Sequence, residues 1–220
     1  MWSAAPTLIV ARLAAADHIQ PPAQTPPGKK VHNFSFQSSP LDFELSTNVV
    51  LGDFCDPASK SLSGYFGVTG SKYDRDRSKQ YFYWFFERRS QSMLSTESGD
   101  SSDDDEEIPL VIWLNGGPGC SSLLGLLLEN GPCLINDDGR STRLNPYSWT
   151  EEAHVLYLDQ PAFAGYSYGD SYDDSEDETD SEMVAEDAYY FLQSFFRSDE
   201  GEKYRDLPLY LTGEVSSHLF

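Results

Sequence analysis

The 220-residue sequence predicts an α/β protein, a mixed and mainly parallel central sheet with flanking helices and an N-terminal β-hairpin. Three observations carry this. Ile108 to Leu114 is an unbroken apolar run with a β-branched bias, as suits a strand covered on both faces, and it runs into a glycine loop and a leucine-rich segment. Glu182 to Arg197 sets Val184, Ala188, Phe191, Leu192 and Phe195 at helical spacing, with acids early and Arg197 late, and Leu207 to Thr212 reads as the following strand. Ser63 to Val68 and Gln80 to Arg89 are aromatic, β-rich runs joined by the turn-forming segment Thr69 to Lys79, which reads as a hairpin packed on the sheet.

In chain order, Trp2 to Ala16 is apolar and ends in Ala14-Ala15-Ala16. Arg12 interrupts it and no basic segment precedes it, so it makes a weak signal segment. Gln20 to Lys30 is proline-rich and aperiodic, so residues 1–30 read as a flexible leader and 31–220 as one domain. Asn33-Phe34-Ser35 fits the N-glycosylation acceptor pattern, which makes Asn33 a candidate if the chain is secreted.

A formal charge of −21 argues against nucleic acid or an anionic membrane surface as partner. Much of it sits in acidic runs at 97–107 and 170–182, which read as solvated insertions. Neither has the spacing of an EF-hand loop. There is no run of about 18 apolar residues, so no membrane span is expected. Cys55, Cys120 and Cys133 include no CxxC pair, so neither a metal nor any other cofactor is expected, and their pairing stays open.

The loop after the 108–114 strand, Asn115-Gly116-Gly117-Pro118-Gly119, concentrates glycine where the backbone must turn sharply. Such a loop can hold a phosphate, a carboxylate or a developing oxyanion on main-chain N–H groups. Phosphate fits least, because the loop has neither the P-loop lysine nor dinucleotide-type glycine spacing.

Trp113-Leu114-Asn115-Gly116-Gly117-Pro118-Gly119-Cys120-Ser121-Ser122 resembles the oxyanion loop of the serine carboxypeptidases, α/β-hydrolases that remove the last residue from a peptide's C-terminus. The SGYFGV and YFYWFFER strands, Asn145-Pro146-Tyr147-Ser148-Trp149, and Asp159-Gln160-Pro161 leading to Tyr166-Ser167-Tyr168 extend the resemblance. It implies an incomplete α/β-hydrolase fold, peptide C-termini as partners, and a secreted, vacuolar or lysosomal location. Trp113, Asn115 and Gly116 would bind the substrate carboxylate, and the backbone of Gly117 and Ser216 would form the oxyanion hole. Glu129 and Glu214 would form an acid pair in which one carboxyl keeps its proton and donates to that carboxylate, favouring acidic pH. In the family the cysteine matching Cys120 bonds a cysteine far downstream, and neither of the other two cysteines is that partner.

Two departures stand out. Phe163 and Ala164 occupy the places of a Gly and a Thr, which puts a bulky side chain in a tight turn. Val215 follows Gly213-Glu214 where the nucleophilic Ser belongs, and an aliphatic side chain cannot attack a carbonyl. Ser216 is no substitute, since Glu214 and His218 stand where the elbow needs small residues, and His154 reads as a packing residue in a strand. The similarity runs from Phe54 to Glu214 and stops within one residue. The sequence is thus expected to be a truncated, inactive member of the family. A non-catalytic binder of peptide C-termini and a fragment of a related acyltransferase are the alternatives. The strand at 207–212 is expected to leave its outer edge open and the protein poorly soluble.

Overall fold

The computed structural model describes residues 7–10, 29–34, 42–50, 55–69, 78–90, 108–117, 119–169 and 181–214. The strands are β1 (Thr7–Val10), β2 (Lys29–Phe34), β3 (Asp42–Val50), β4 (Ser61–Thr69), β5 (Ser78–Phe86), β6 (Leu110–Asn115), β7 (Cys133–Ile135), β8 (Thr142–Leu144), β9 (His154–Leu158), β10 (Tyr168–Gly169) and β11 (Leu209–Glu214). Helix α1 covers Ser181–Phe195, and a π-helical turn covers Gly125–Glu129.

One sheet runs in the order β1-β11-β6-β9-β5-β4-β3-β2, with β10 on β5, while β7 and β8 form a separate pair. The sheet is mixed, as the sequence predicts. Parallel pairing is confined to β11, β6 and β9, and the remaining described pairs are antiparallel. Strands β2 and β3, which no sequence signal marked, extend the β4–β5 hairpin and shift the balance to antiparallel. β3 buries Phe43 and Leu45 on either side of exposed Glu44, then Ser46 and Thr47 in succession, so its apolar pattern is diluted by polar residues.

Alternation divides the core between the faces. Leu110, Ile112, Leu114, Leu156 and Leu158 pack with Phe191 and Phe195 of α1, and the hairpin aromatics Phe66, Tyr83 and Phe85 join them. Val111, Trp113, Val155 and Tyr157 point the other way, against Leu126 of the π-helical turn, with Trp149 beside them. The hairpin aromatics therefore serve packing, with Tyr83 and Phe85 fully buried.

Two expectations change. The edge of β11 is not open, because β1, inside the stretch read as flexible leader, pairs with it antiparallel from Thr7↔Gly213 to Val10↔Tyr210. Thr7-Leu8-Ile9-Val10 is β-prone, and an unpaired strand edge favours any such segment. Glu182, counted in the second acidic run, lies in the first turn of α1, where a carboxylate suits the helix N-terminus. The rest of both acidic runs lies outside the described residues. Cys55 bonds Cys133 with their Cα atoms 5.3 Å apart, and Cys120 is a free, exposed thiol. Among the described residues no helix is long and apolar enough to cross a membrane.

Candidate functional site

The parallel strands β11, β6 and β9 end at Glu214, Asn115 and, one residue past Leu158, Asp159. The carboxyl ends of such strands are where open α/β sheets build ligand sites. The β6–β11 register sets Asn115 directly opposite Glu214, so two residues 99 positions apart share one edge of the sheet.

Asn115 is buried and its amide orientation is fixed. Its Oδ1 accepts the Trp113 Nε1–H at 2.7 Å and the Gly125 N–H at 3.1 Å, so Nδ2 must face the other way and donates to Glu214 Oε2 at 3.1 Å. Trp113, 5% exposed, thus gives its N–H to Asn115 and stands behind the site. Gly125 has no room for a side chain, because an added Cβ would collide with the Trp113 indole. Trp149 meets the same indole edge to face at 5.2 Å.

Glu129 ends the π-helical turn. Asn145 Nδ2 donates to the Glu129 carbonyl at 3.1 Å and to the Gly131 carbonyl at 2.8 Å. Asn130 accepts from Tyr157 Oη–H at 2.9 Å, and its carbonyl accepts the Trp149 N–H. The Asn145–Trp149 segment, legible in sequence only as a turn, therefore pins the helix end that carries Glu129. Partial desolvation, and secondarily the charge of Glu214, raise the Glu129 pKa. Burial and the Glu129 charge together push the Tyr157 phenol well above its ordinary value, so it remains a hydrogen-bond donor.

The glycine loop completes the edge. Gly116 is buried, and Gly117, at φ +134°, is exposed in a conformation that side chains rarely adopt. The Cys120 N–H donates to the Gly116 carbonyl at 3.1 Å. Ser122 Oγ accepts the Asn115 N–H at 3.1 Å and donates to the Leu158 carbonyl at 2.6 Å, tying the loop across to β9. Asp159, whose pKa burial raises against its hydrogen bonds, accepts from Ser121 and Ser122 on one side and from Tyr166 on the other. Sequence reasoning missed Ser121, Ser122 and Asp159. A carboxylate next to an apolar strand was the one signal that could have drawn attention to the last of them.

The turn after Asp159 carries Phe163 at φ 72°, the single non-glycine residue with positive φ among the described residues, and Gly165 at φ 55°. The chain thus accepts a left-handed Phe at the family's glycine position, and the ring packs against the core on the α1 side. His154 is a packing residue: its Nδ1 accepts the Arg88 N–H at 3.0 Å and its ring stacks on Phe85. Burial outweighs the pull of Glu87 and, with Lys203 and Arg88, lowers its pKa to about 4. Asn33 is exposed on β2, while Ser35 lies outside the described residues. Val215, Ser216 and His218 lie outside them as well. Among the described residues no group of three or more His, Cys, Asp or Glu side chains could hold a metal.

The arrangement places two carboxyls, one oriented amide and a glycine turn on one edge. It can accept an anion once a carboxyl carries a proton, and its acid pair repels one when both are ionised.

The serine carboxypeptidase family model matches residues 53–216. The lysosomal protective protein of Mus musculus is 42% identical over 164 residues, covering 74% of this chain and 29% of the relative. A carboxypeptidase Y homolog A of Trichophyton verrucosum is 37% identical over 187 residues, covering 84% and 28%. Among solved structures, a prohormone-processing carboxypeptidase from Saccharomyces cerevisiae superposes with a TM-score of 0.53 at 29% identity, covering 73% of this chain and 32% of that one. The chain thus spans less than a third of the length of these relatives. With the family model matching residues 53–216, the chain belongs to the serine carboxypeptidase family and carries its α/β-hydrolase fold in incomplete form.

Proposed function

We propose that the chain recognises the C-terminal carboxylate of peptides and, with Val215 at the nucleophile position, binds such peptides without cleaving them. One observation supports this above the others: the Asn115 amide is oriented by Trp113 and Gly125 and set beside Glu214, with Glu129 close enough to feel the Glu214 charge. Below the raised Glu129 pKa, one carboxyl donates a hydrogen bond to the incoming carboxylate, and Asn115 Nδ2 and the Gly116 backbone add donors. As pH rises through that pKa, Glu129 ionises beside Glu214 and the anion is expelled.

The family reaction, release of a C-terminal amino acid by acyl transfer to Ser, also needs an oxyanion hole, which Gly117 and Ser216 would supply from their backbone. It needs a nucleophilic oxygen too, and Val215 has none. An acidic compartment suits the site, in keeping with the lysosomal name of one relative. In that setting, or on secretion, exposed Asn33 would be the glycan acceptor.

The test is paired. Calorimetry at pH 4.5 with one peptide as free acid and as C-terminal amide is expected to show binding of the acid only. Mass spectrometry of the same mixture is expected to show no shortened peptide. Equal binding of acid and amide would refute the carboxylate site, and release of terminal residues by pure protein would refute binding without cleavage.

A further inference from the structure

Asp159 is 1% exposed, has no cationic partner among the described residues, and joins two loops that the proposed reading uses only in part. From the glycine-loop side it receives the Ser121 Oγ–H at 2.7 Å and the Ser122 N–H at 2.8 Å, both on Oδ1. From the loop after β9 it receives the Tyr166 N–H at 2.9 Å on Oδ2. Gly165 closes directly over it, and an added Cβ there would collide with Oδ2 and with Ser121 Oγ. Each carboxylate oxygen is thus committed to one loop. Ser122 passes the constraint on, because its Oγ accepts the Asn115 N–H and donates to the Leu158 carbonyl. The path runs Asp159, Ser122, Asn115, with a hydrogen bond at each step, and it ends on the backbone N–H of the residue whose side chain is the oriented amide.

We propose that Asp159 is a positioning residue that clamps the glycine loop to the loop after β9 and thereby holds the Asn115 amide and the Gly116–Gly117 backbone in place for carboxylate recognition. It touches no substrate and acts through Ser122. The proposal rests on the carboxylate-binding reading of the site. A clamp of this kind needs an acceptor on both oxygens. An amide of the same shape keeps one acceptor and turns a donor toward either Ser121 and Ser122 or Tyr166, so one loop is released.

The experiment uses the full chain, 15N-labelled, as wild type and as Asp159→Asn. Three readouts are compared: hydrogen-exchange protection of the Ser122 and Tyr166 amides against Leu156 in the sheet, the Asn115 side-chain amide shift, and affinity for free-acid and amidated forms of one peptide. The expected result is at least tenfold lower protection at Ser122 or Tyr166 with Leu156 unchanged, a displaced Asn115 resonance, and at least tenfold weaker binding of the acid with no change for the amide. Unchanged loop protection and an unchanged Asn115 resonance would overturn the proposal. So would equal loss of protection throughout the sheet, which marks a merely structural role. If Asp159→Asn does not fold, Ser121→Ala removes one donor alone and must still lower Ser122 protection selectively, or the proposal fails. Should the wild type bind acid and amide alike, the carboxylate reading is lost, while loop protection and the Asn115 shift still decide for or against the clamp.

Discussion

Substituting Asn115→Asp tests the site's electrostatics with almost no change of shape. The new carboxylate keeps an oxygen where Trp113 Nε1–H and the Gly125 N–H donate, but replaces the Nδ2 donor 3.1 Å from Glu214 Oε2 with a second anionic oxygen. Two unit charges at that distance repel by ~5 kcal/mol at an effective dielectric constant of about 20, and partial exposure of Glu214 screens this to about 3 kcal/mol. The pair therefore holds a proton more tightly than a carboxyl of the unfolded chain, so its folded-state pKa rises above the unfolded value of about 4. The sign follows from linkage. A carboxyl with a raised folded pKa leaves stability intact below the unfolded value and removes it as pH rises toward the folded one. Urea unfolding followed by tryptophan fluorescence, with Trp113 and Trp149 in contact as reporters, is expected to show a variant within about 1 kcal/mol of wild type at pH 4.5. At pH 7.5 the variant should be about 3 kcal/mol less stable. A loss independent of pH, or none at pH 7.5, would refute the placement of Asn115 beside Glu214.

Other outcomes follow from the same structure. His154 is held neutral with its pKa lowered to about 4, so the unfolded chain binds a proton that the native chain refuses. Stability present above the unfolded value of about 6.5 is lost as pH falls toward 4, by ~1–2 kcal/mol after solvent screening. His154→Asn, whose Oδ1 can accept the Arg88 N–H, should remove that part of the acid sensitivity in urea titrations at pH 7 and pH 4.5. Arg89 is buried, donates to Asp56 Oδ2 at 2.5 Å and to the carbonyls of Pro132 and Asn145 at 3.2 Å each, and pairs with Glu151. Arg89→Met strands the buried Asp56 charge and should cost about 3–5 kcal/mol, measured the same way. Reducing the Cys55–Cys133 bond, which closes a separation of 78 residues, should cost ~4 kcal/mol of stability with and without dithiothreitol, and a change below about 1 kcal/mol would show that the bond does not form.

What the sequence made legible follows from where each signal lives. Ile108–Leu114 is an unbroken apolar run and Glu182–Arg197 carries a single helical period, so their elements emerge close to where they were expected. β3 alternates Phe43, Leu45 and Thr47 with Glu44 and Ser46, and that mixed pattern is strand-like only once β4 lies beside it. The leucine-rich segment after the glycine loop has helical spacing, yet ends in a π turn of five residues, in which the Asn130 N–H donates to the Gly125 carbonyl and Gly131 closes on the Leu126 carbonyl with no room for a Cβ. The candidate site was visible as positions and not as roles. Trp113, Asn115, Glu129 and Glu214 could be named from the family pattern, but that Trp113 orients Asn115 depends on which donors surround one amide oxygen. That Asp159 spans two loops depends on the β6–β9 pairing. No local sequence feature encodes either.

The proposed function requires the Asn115, Glu129 and Glu214 edge to bind a carboxylate by holding a proton. Proton-linked calorimetry measures this directly, by titrating one peptide as free acid and as amide near pH 6 in two buffers of different ionisation enthalpy. The free acid is expected to bind with net uptake of protons, approaching one per site, and Glu129→Gln to abolish the uptake. Binding of the free acid with no proton uptake, or equal uptake with the amide, would contradict it.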